Sequence, residues 1–157
     1  MGADLTQIGI LARREIEARI LAPVIKEFIK EVGRERTLQI VEPIILSLAR
    51  EAGAQLARML GGNTLEHFMK GFPMWTREDA LQVQIIEQAP KRVSFNVARC
   101  RYAEMYRELG IPDLGFLLSC NRDGALIEGF NPQIKFARTQ TIMQGAPFCD
   151  FRYEMKD

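Results

Sequence analysis

A single histidine, His67, serves all 157 residues, and the three cysteines, Cys100, Cys120 and Cys149, lie far apart with no C-x-x-C pair among them. An odd, dispersed set of thiols excludes a disulfide framework and points to free cysteines in a reducing compartment. Charge of one sign is missing too: 21 basic residues face 20 acidic ones. No Lys/Arg cluster interleaved with aromatics leaves the footprint of a nucleic-acid binder. No apolar run reaches the roughly 20 residues that a membrane span needs, and the opening MGADLTQIGILARREIEARI has neither an uninterrupted apolar segment nor a small-residue cleavage site. Gly61-Gly62 is not followed by a P-loop lysine and serine, and G-x-G-x-x-G and G-x-S-x-G do not occur. The expectation is a cytoplasmic protein that meets a small molecule rather than nucleic acid or a membrane. Met1-Gly2 with Thr6 formally fits a myristoylation pattern, but Asp4 or Thr6 capping a first helix explains the same residues better.

What is present is the composition of a globular protein, 47% hydrophobic and 26% charged. A chain of this length is most simply one domain that needs no metal or disulfide to hold it together. Apolar residues recur at helical spacing from Leu5 to Val32, with Pro23 as a bend and Gly33 as a stop. A second helical pattern runs from about Glu35 to Leu60, with Pro43 as a kink or a new start. Thr64 then caps a short helix carrying His67. After Trp75 the period changes. Leu81, Val83 and Ile85 alternate with glutamines, Val93, Phe95 and Val97 alternate with polar residues, and the turn at Ala89-Pro90-Lys91 makes the pair a hairpin. RYAEMYREL reads as a helix closed by Gly110, and Pro112-Asp113 starts another through LGFLLSCNRDGALIEGF. QIKFARTQTIM and PFCDFRYEM read as two more strands, split by Gly145-Ala146-Pro147. The result is an α+β fold: amphipathic helices over residues 1–75 packed on a mixed or antiparallel sheet with inserted helices over 76–157. The long apolar helix faces allow a homo-oligomer, or equally the cover of one sheet face.

Six short blocks in order make the second half specific. They are R-C-x-Y-A-E from Arg99 to Glu104, E-L-G-x-P-D-L from Glu108 to Leu114, C-x-x-D from Cys120 to Asp123, G-F-N-P from Gly129 to Pro132, R-T-Q-T-I from Arg138 to Ile142, and G-x-x-x-C-D-F-x-Y from Gly145 to Tyr153. Together they resemble the L-2-amino-thiazoline-4-carboxylic acid hydrolase family. The resemblance implies ring opening of a 2-aminothiazoline carboxylate to an N-carbamoyl cysteine. Water must add to the amidine-like carbon and the ring sulfur must leave as a thiol. Such a site needs a nucleophile or activated water, a carboxylate for the amidine, a cation for the substrate carboxylate, and a proton shuttle.

Cysteine attacks such carbons well as a thiolate. Cys149, followed by Asp150 in the most distinctive block, is the first candidate nucleophile, although strand geometry points the two side chains to opposite faces. Cys120 and Asp123, at i and i+3, share a helical face and are the better constellation. Cys100, flanked by Arg99 and Arg101 at a helix start, reads first as structural. Arg138 is the candidate for the substrate carboxylate. His67 is a candidate proton shuttle, and Tyr102 and Glu104 are candidate pocket-lining residues. Each also has a plainer reading, as core filler, a solvated face or a structural ion pair. No cofactor is expected, and a zinc site built from the three cysteines with His67 or an aspartate is a minor alternative, since the spacing matches no closed zinc motif. The rival reading is a non-catalytic small-molecule sensor, because helices followed by a sheet with late cysteines also resemble the 4-vinyl reductase-like ligand-binding domains.

Overall fold

The computed structural model describes residues 7–156, so the capping and myristoylation readings at Met1, Gly2, Asp4 and Thr6 lie outside the described residues. Helix α1 spans Ile10–Val32 and α2 spans Arg34–Leu60. Both run on through their prolines, so Pro43 starts no new helix. Gly33, at φ +84°, makes the break between them, and its N–H still bonds Ile29 O at 3.0 Å. Only glycine reaches that backbone region without a Cβ clash. Gly61, left-handed at φ +71°, closes α2.

Two short helices follow, α3 (Leu65–Gly71) and α4 (Pro73–Thr76), and then a hairpin of β1 (Leu81–Ala89) and β2 (Arg92–Cys100). Helices α5 (Arg101–Glu108), α6 (Pro112–Gly115) and α7 (Arg122–Phe130) come next, ahead of β3 (Ile134–Ala137) and β4 (Cys149–Met155). The four strands form one antiparallel sheet in the order β1-β2-β4-β3. This is the expected α+β arrangement, with the N-terminal helices packed on a C-terminal sheet.

Two departures from the sequence pattern position the site. The helix expected to run unbroken from Pro112 contains a π-helical turn over Phe116–Cys120, which sets Cys120 at the junction with α7. The strand expected over residues 133–143 stops at Ala137. Asp150 is the physical reason: it accepts the Thr139 and Gln140 amides at 2.9 Å each, and the Thr139 hydroxyl at 2.6 Å. Those amides are taken by a carboxylate instead of a strand, so the chain leaves the ladder and turns Arg138 inward.

Helices α2 and α7 approach so closely that a Cβ on Gly53 would lie 1.9 Å from Leu126 O, and one on Gly129 would lie 1.9 Å from Arg50 O. Glycine is therefore obligatory at both positions. The contact fixes the depth of α7, whose first turn carries Asp123. The sheet's inner face pairs Val93 with Tyr153, Phe95 with Phe151 and Val97 with Cys149. Phe95 stacks on Phe151 at 4.9 Å between ring centres, and Phe68 from α3 meets Tyr153 at 5.2 Å. The core is this aromatic layer between the sheet and the helices.

Candidate active site

A cavity of about 90 Å³ opens where α1, the π-helical turn, α7 and the inner face of the sheet meet. It is far smaller than the roughly 300–1,000 Å³ typical of drug-sized ligands, so its guest is small. Trp75, Leu81, Val97 and Phe151 give it apolar walls, while Cys100, Cys120, Cys149, Asp123, Tyr102 and Arg138 bring chemistry to it. Each is placed by a local rule. Cys149 opens β4 on the inner face, opposite Val97. Cys120 ends the π-helical turn, with Asp123 three residues on. Cys100 stands where β2 passes into α5.

Asp150 and His67 are not among the residues brought together. Asp150 pairs with Asn96 in the β2–β4 register, and its carboxylate is spent on Thr139 and Gln140. Alternation along the strand thus separates the two neighbours of the C-D-F block. His67 sits at the start of α3, where its Nδ1 lies 2.7 Å from Thr64 Oγ1 and its ring fills the space over Gly62. Glu104 forms a two-bond ion pair with Arg99, at 2.8 and 3.0 Å, on the exposed side of α5.

Asp123 is the electrostatic centre. Arg138 donates to one carboxylate oxygen, Oδ2, through Nη1 and to the Cys120 carbonyl through Nη2 at 3.0 Å. The guanidinium lies among three rings, at 5.1 Å from Phe151, 5.5 Å from Phe136 and 5.9 Å from Phe116. At 8% side-chain exposure Arg138 is locked, whereas Asp123 keeps 31% and faces the cavity. Burial pushes the Asp123 carboxyl above the ordinary aspartate range, with Arg138 pulling against it. The Arg138 charge is in turn disfavoured by burial but held by Asp123, with the net shift upward. Asp123 is thus a half-free carboxylate held by a fixed cation.

All three thiols are pushed up by burial. Cys100 rises to about 11, even though the Ala103 and Tyr102 amides favour its thiolate. Cys120 is pushed furthest, by burial and then by Asp123. Cys149 is raised by burial although its sulfur accepts the Ile142 N–H at 3.2 Å. Cys100 stands at a helix start, a position that favours a thiolate, but desolvation outweighs it. At each of the three, burial outweighs the local groups that favour the thiolate, so the protonated thiol is favoured and a thiolate nucleophile is not.

Two cavity residues give no signal in the sequence. Arg14 from α1 pairs with Glu17, and Arg122, with only 14% of its side chain exposed, finds its nearest acid, the same Glu17, at 3.9 Å. Burial, and then Arg14, disfavour the Arg122 charge. Three arginines and one carboxylate therefore line the cavity, and one glutamate behind it is shared by two cations. A buried cation without a full partner is costly, so an anionic guest would be stabilised here. Only the fold brings Arg14 and Arg122 together, since 108 positions separate them. Among the described residues no group of three or more His, Cys, Asp or Glu side chains is placed to hold a metal ion, and no helix is long and apolar enough to cross a membrane.

The comparisons with known proteins bear on this geometry. The family profile described as L-2-amino-thiazoline-4-carboxylic acid hydrolase matches residues 13–153, which takes in both the helical front and the sheet. No curated protein sequence matches the chain. Among solved structures, the phenol-responsive sensory domain of the transcription activator PoxR, solved with phenol, is similar with a TM-score of 0.56. That alignment covers 93% of this chain and 76% of the other at 13% identity, so it is a likeness of fold.

Proposed function

The chain belongs to the L-2-amino-thiazoline-4-carboxylic acid hydrolase family, and from that premise we propose that its cavity binds and hydrolyses a small cyclic amidine bearing a carboxylate. The observation that carries this reading is the bipolar lining, with the half-free Asp123 carboxylate on one side and the under-compensated Arg122, beside Arg14, on another. A 2-aminothiazoline-4-carboxylate is itself bipolar, a cationic amidine joined to a carboxylate. Its amidine sits against Asp123 and its carboxylate against Arg122, a role the sequence suggests for Arg138. Arg138 is instead a positioning residue, because its donors are held by Asp123 and the Cys120 carbonyl.

In this mechanism Asp123 is the acid–base residue and water is the nucleophile. Asp123 takes a proton from water as the oxygen bonds to C2 of the amidinium, giving a neutral tetrahedral adduct. The C2–S bond then breaks, the sulfur leaves with the proton returned by Asp123, and the new hydroxyl loses its proton as it becomes the urea carbonyl. One water is consumed, and the amidinium's charge leaves as a proton to solvent. A carboxyl raised above its ordinary range suits both halves of that exchange. The thiols, protonated by burial, wall the site.

The test is incubation with 2-aminothiazoline-4-carboxylate followed by mass spectrometry of both small molecules and protein. Ring-opened N-carbamoyl product with no cysteine adduct is expected. An adduct on Cys149 or Cys120 that disappears with turnover would replace water by a thiol as the nucleophile. One observation favours a second reading: three thiols that burial keeps protonated, set among the cavity's apolar walls on a fold similar to that of a phenol-responsive sensory domain, also suit a module that binds without reacting. Saturable binding with no product would select it.

A further inference from the structure

Behind Asp123 a second chamber of about 60 Å³ adjoins the first, and Asp123, Trp75 and Phe151 line both. Its remaining walls are the aromatic rings of Phe68, Phe72, Phe95 and Tyr153 and three aliphatic side chains. The chain has three tyrosines, and two of their hydroxyls have protein partners, Tyr102 with Trp75 O at 3.4 Å and Tyr106 with Ser119 Oγ at 2.9 Å. Tyr153 is more buried than Tyr102, at 3% exposure, and it lines the chamber; its hydroxyl makes no hydrogen bond to the described residues, yet it is not among their fully buried unpaired polar atoms. A hydroxyl with no protein partner that opens on a chamber takes its hydrogen bond from whatever fills that chamber, a guest or a water. This one lies in a chamber wall, within electrostatic reach of Asp123.

We propose that this chamber is a subsite for a short substituent on the amidine nitrogen, an alkyl chain of a few atoms bearing one oxygen that the Tyr153 hydroxyl holds. The inference rests on the ligand reading of the first cavity. If the amidine lies against Asp123, the group beyond it enters the second chamber. Size decides the class. The chamber, at about 60 Å³, is smaller than the cavity of about 90 Å³ that takes the thiazoline ring in this reading, so a short chain suits it better than a second ring.

The probes are 2-aminothiazoline-4-carboxylate and its 2-hydroxyethyl, propyl and benzyl derivatives on the exocyclic nitrogen, with binding measured by calorimetry and turnover measured separately. Hydroxyethyl and propyl derivatives are expected to bind more tightly than the parent, and benzyl more weakly. Tyr153→Phe should weaken the hydroxyethyl derivative by about 3- to 10-fold and leave the propyl derivative and the parent unchanged. Phe72→Trp, which fills the chamber, should shut out both short derivatives and spare the parent. The subsite is overturned if substituents give no gain, if benzyl binds best, if Tyr153→Phe weakens parent and derivatives alike, or if nothing binds. Turnover of the parent with no preference among derivatives sinks the subsite alone. The expected binding pattern without any turnover keeps the subsite and sinks the hydrolase reading.

A separate observation concerns α1 and α2. Ile16, Ile20, Val24, Phe28 and Val32 recur every four residues along α1, as do Ile40, Ile44 and Leu48 along α2, and each is 48–64% exposed. The eight side chains stand on two helices that pack against each other, whereas exposed apolar residues on a typical monomer are scattered singly, and a standard interface takes roughly 800 Å² from each partner. The stripes are bordered by both signs, with Glu15, Arg19, Lys26, Glu27, Lys30, Glu31, Arg36 and Glu42 all in this stretch. A membrane surface would call for a basic excess, which is missing, whereas alternating signs suit self-pairing across a two-fold axis. We infer that this surface is the interface of a homodimer.

Light scattering coupled to size exclusion, on the full chain, should give a dimer whose dissociation follows dilution. Ile20→Glu with Phe28→Glu should give a folded monomer, while Ile86→Glu, an equally exposed site on β1, should leave the dimer intact. A wild-type monomer, whether or not it partitions onto anionic vesicles, overturns the inference, and so does a dimer indifferent to the α1 changes.

Discussion

Two aspartates, 27 positions apart, occupy opposite environments. Asp123 lies on the inner side of the fold, faces the cavity and is raised above the ordinary aspartate range by burial. Asp150 lies on the outer face of the sheet, where burial raises its carboxyl but the Thr139 hydroxyl and the Gln140 and Thr139 amides outweigh it and hold the group low. An acid whose charge is this well satisfied has nothing left to offer a substrate. One with a single fixed partner and an open edge does. The difference teaches that the motif with the stronger sequence signal, Cys149-Asp150, is a structural clamp at Asp150, whereas the plainer C-x-x-D at Cys120 and Asp123 supplies the chemistry in the proposed function.

The comparison breaks most sharply by exchanging each carboxylate for its amide. Asp123→Asn should lower kcat for ring opening by about 10²- to 10⁴-fold, with the near-isosteric amide still able to accept from Arg138 and the far-UV spectrum unchanged. Gly129→Ala tests the scaffold under Asp123. Its Cβ would meet the Arg50 carbonyl, and the overpacking should cost about 3 kcal/mol or more in denaturant unfolding, since backbone cannot move aside cheaply. Asp150→Ala should cost about 1–3 kcal/mol of stability, because it orphans the Thr139 and Gln140 amides, yet leave kcat within about threefold of wild type.

The same pair has opposite pH signatures. Asp150, lowered in the fold, contributes stability above the unfolded aspartate pKa of about 3.9 and loses it as pH falls through the lower folded value. Asp123, raised in the fold, contributes stability below about pH 3.9 and loses it as pH rises through its folded value. Melting temperatures across the acid range should therefore lose their acid-side decline in Asp150→Asn and their opposing component in Asp123→Asn. Turnover sharpens this further. Because Asp123 must be ionised to accept water's proton, kcat/KM should rise with pH through its raised pKa, and Arg138→Gln, which removes the cation favouring that ionisation, should move this limb to higher pH. The smallest expected effect is that of Cys149→Ser. With water as the nucleophile, it should leave turnover within about threefold.

Much of the scaffold was legible in the sequence because it rests on local rules. Periodicity located both long helices, the β1–β2 hairpin and β4, and Gly33, Gly61 and Gly110 marked their breaks. The misses were tertiary. Nothing local in QIKFARTQTIM shows that Asp150 will strip two amides from its ladder, and nothing in LGFLLSC announces a π-helical turn. The candidate site was legible in part. Helical spacing put Cys120 and Asp123 on one face, and strand alternation foretold the separation of Cys149 from Asp150. Arg138 was singled out, but its engagement with Asp123 depends on β3 ending early. Arg14 and Arg122 carried no signal, since arginines on amphipathic helices are ordinarily solvated and only packing reveals that these two are buried with one glutamate between them. Burial where the π-helical turn ends pushes the Cys120 thiol up rather than activating it, which no spacing rule could convey.

The most direct test sets wild type, Asp123→Asn and Asp150→Asn side by side on 2-aminothiazoline-4-carboxylate, with ring-opened product quantified by mass spectrometry and folding checked by circular dichroism. Ring opening by wild type and Asp150→Asn, with none above background from folded Asp123→Asn, is the predicted result. Equal product from folded Asp123→Asn, or loss of chemistry in folded Asp150→Asn alone, would contradict the assignment of acid–base work to the cavity carboxylate.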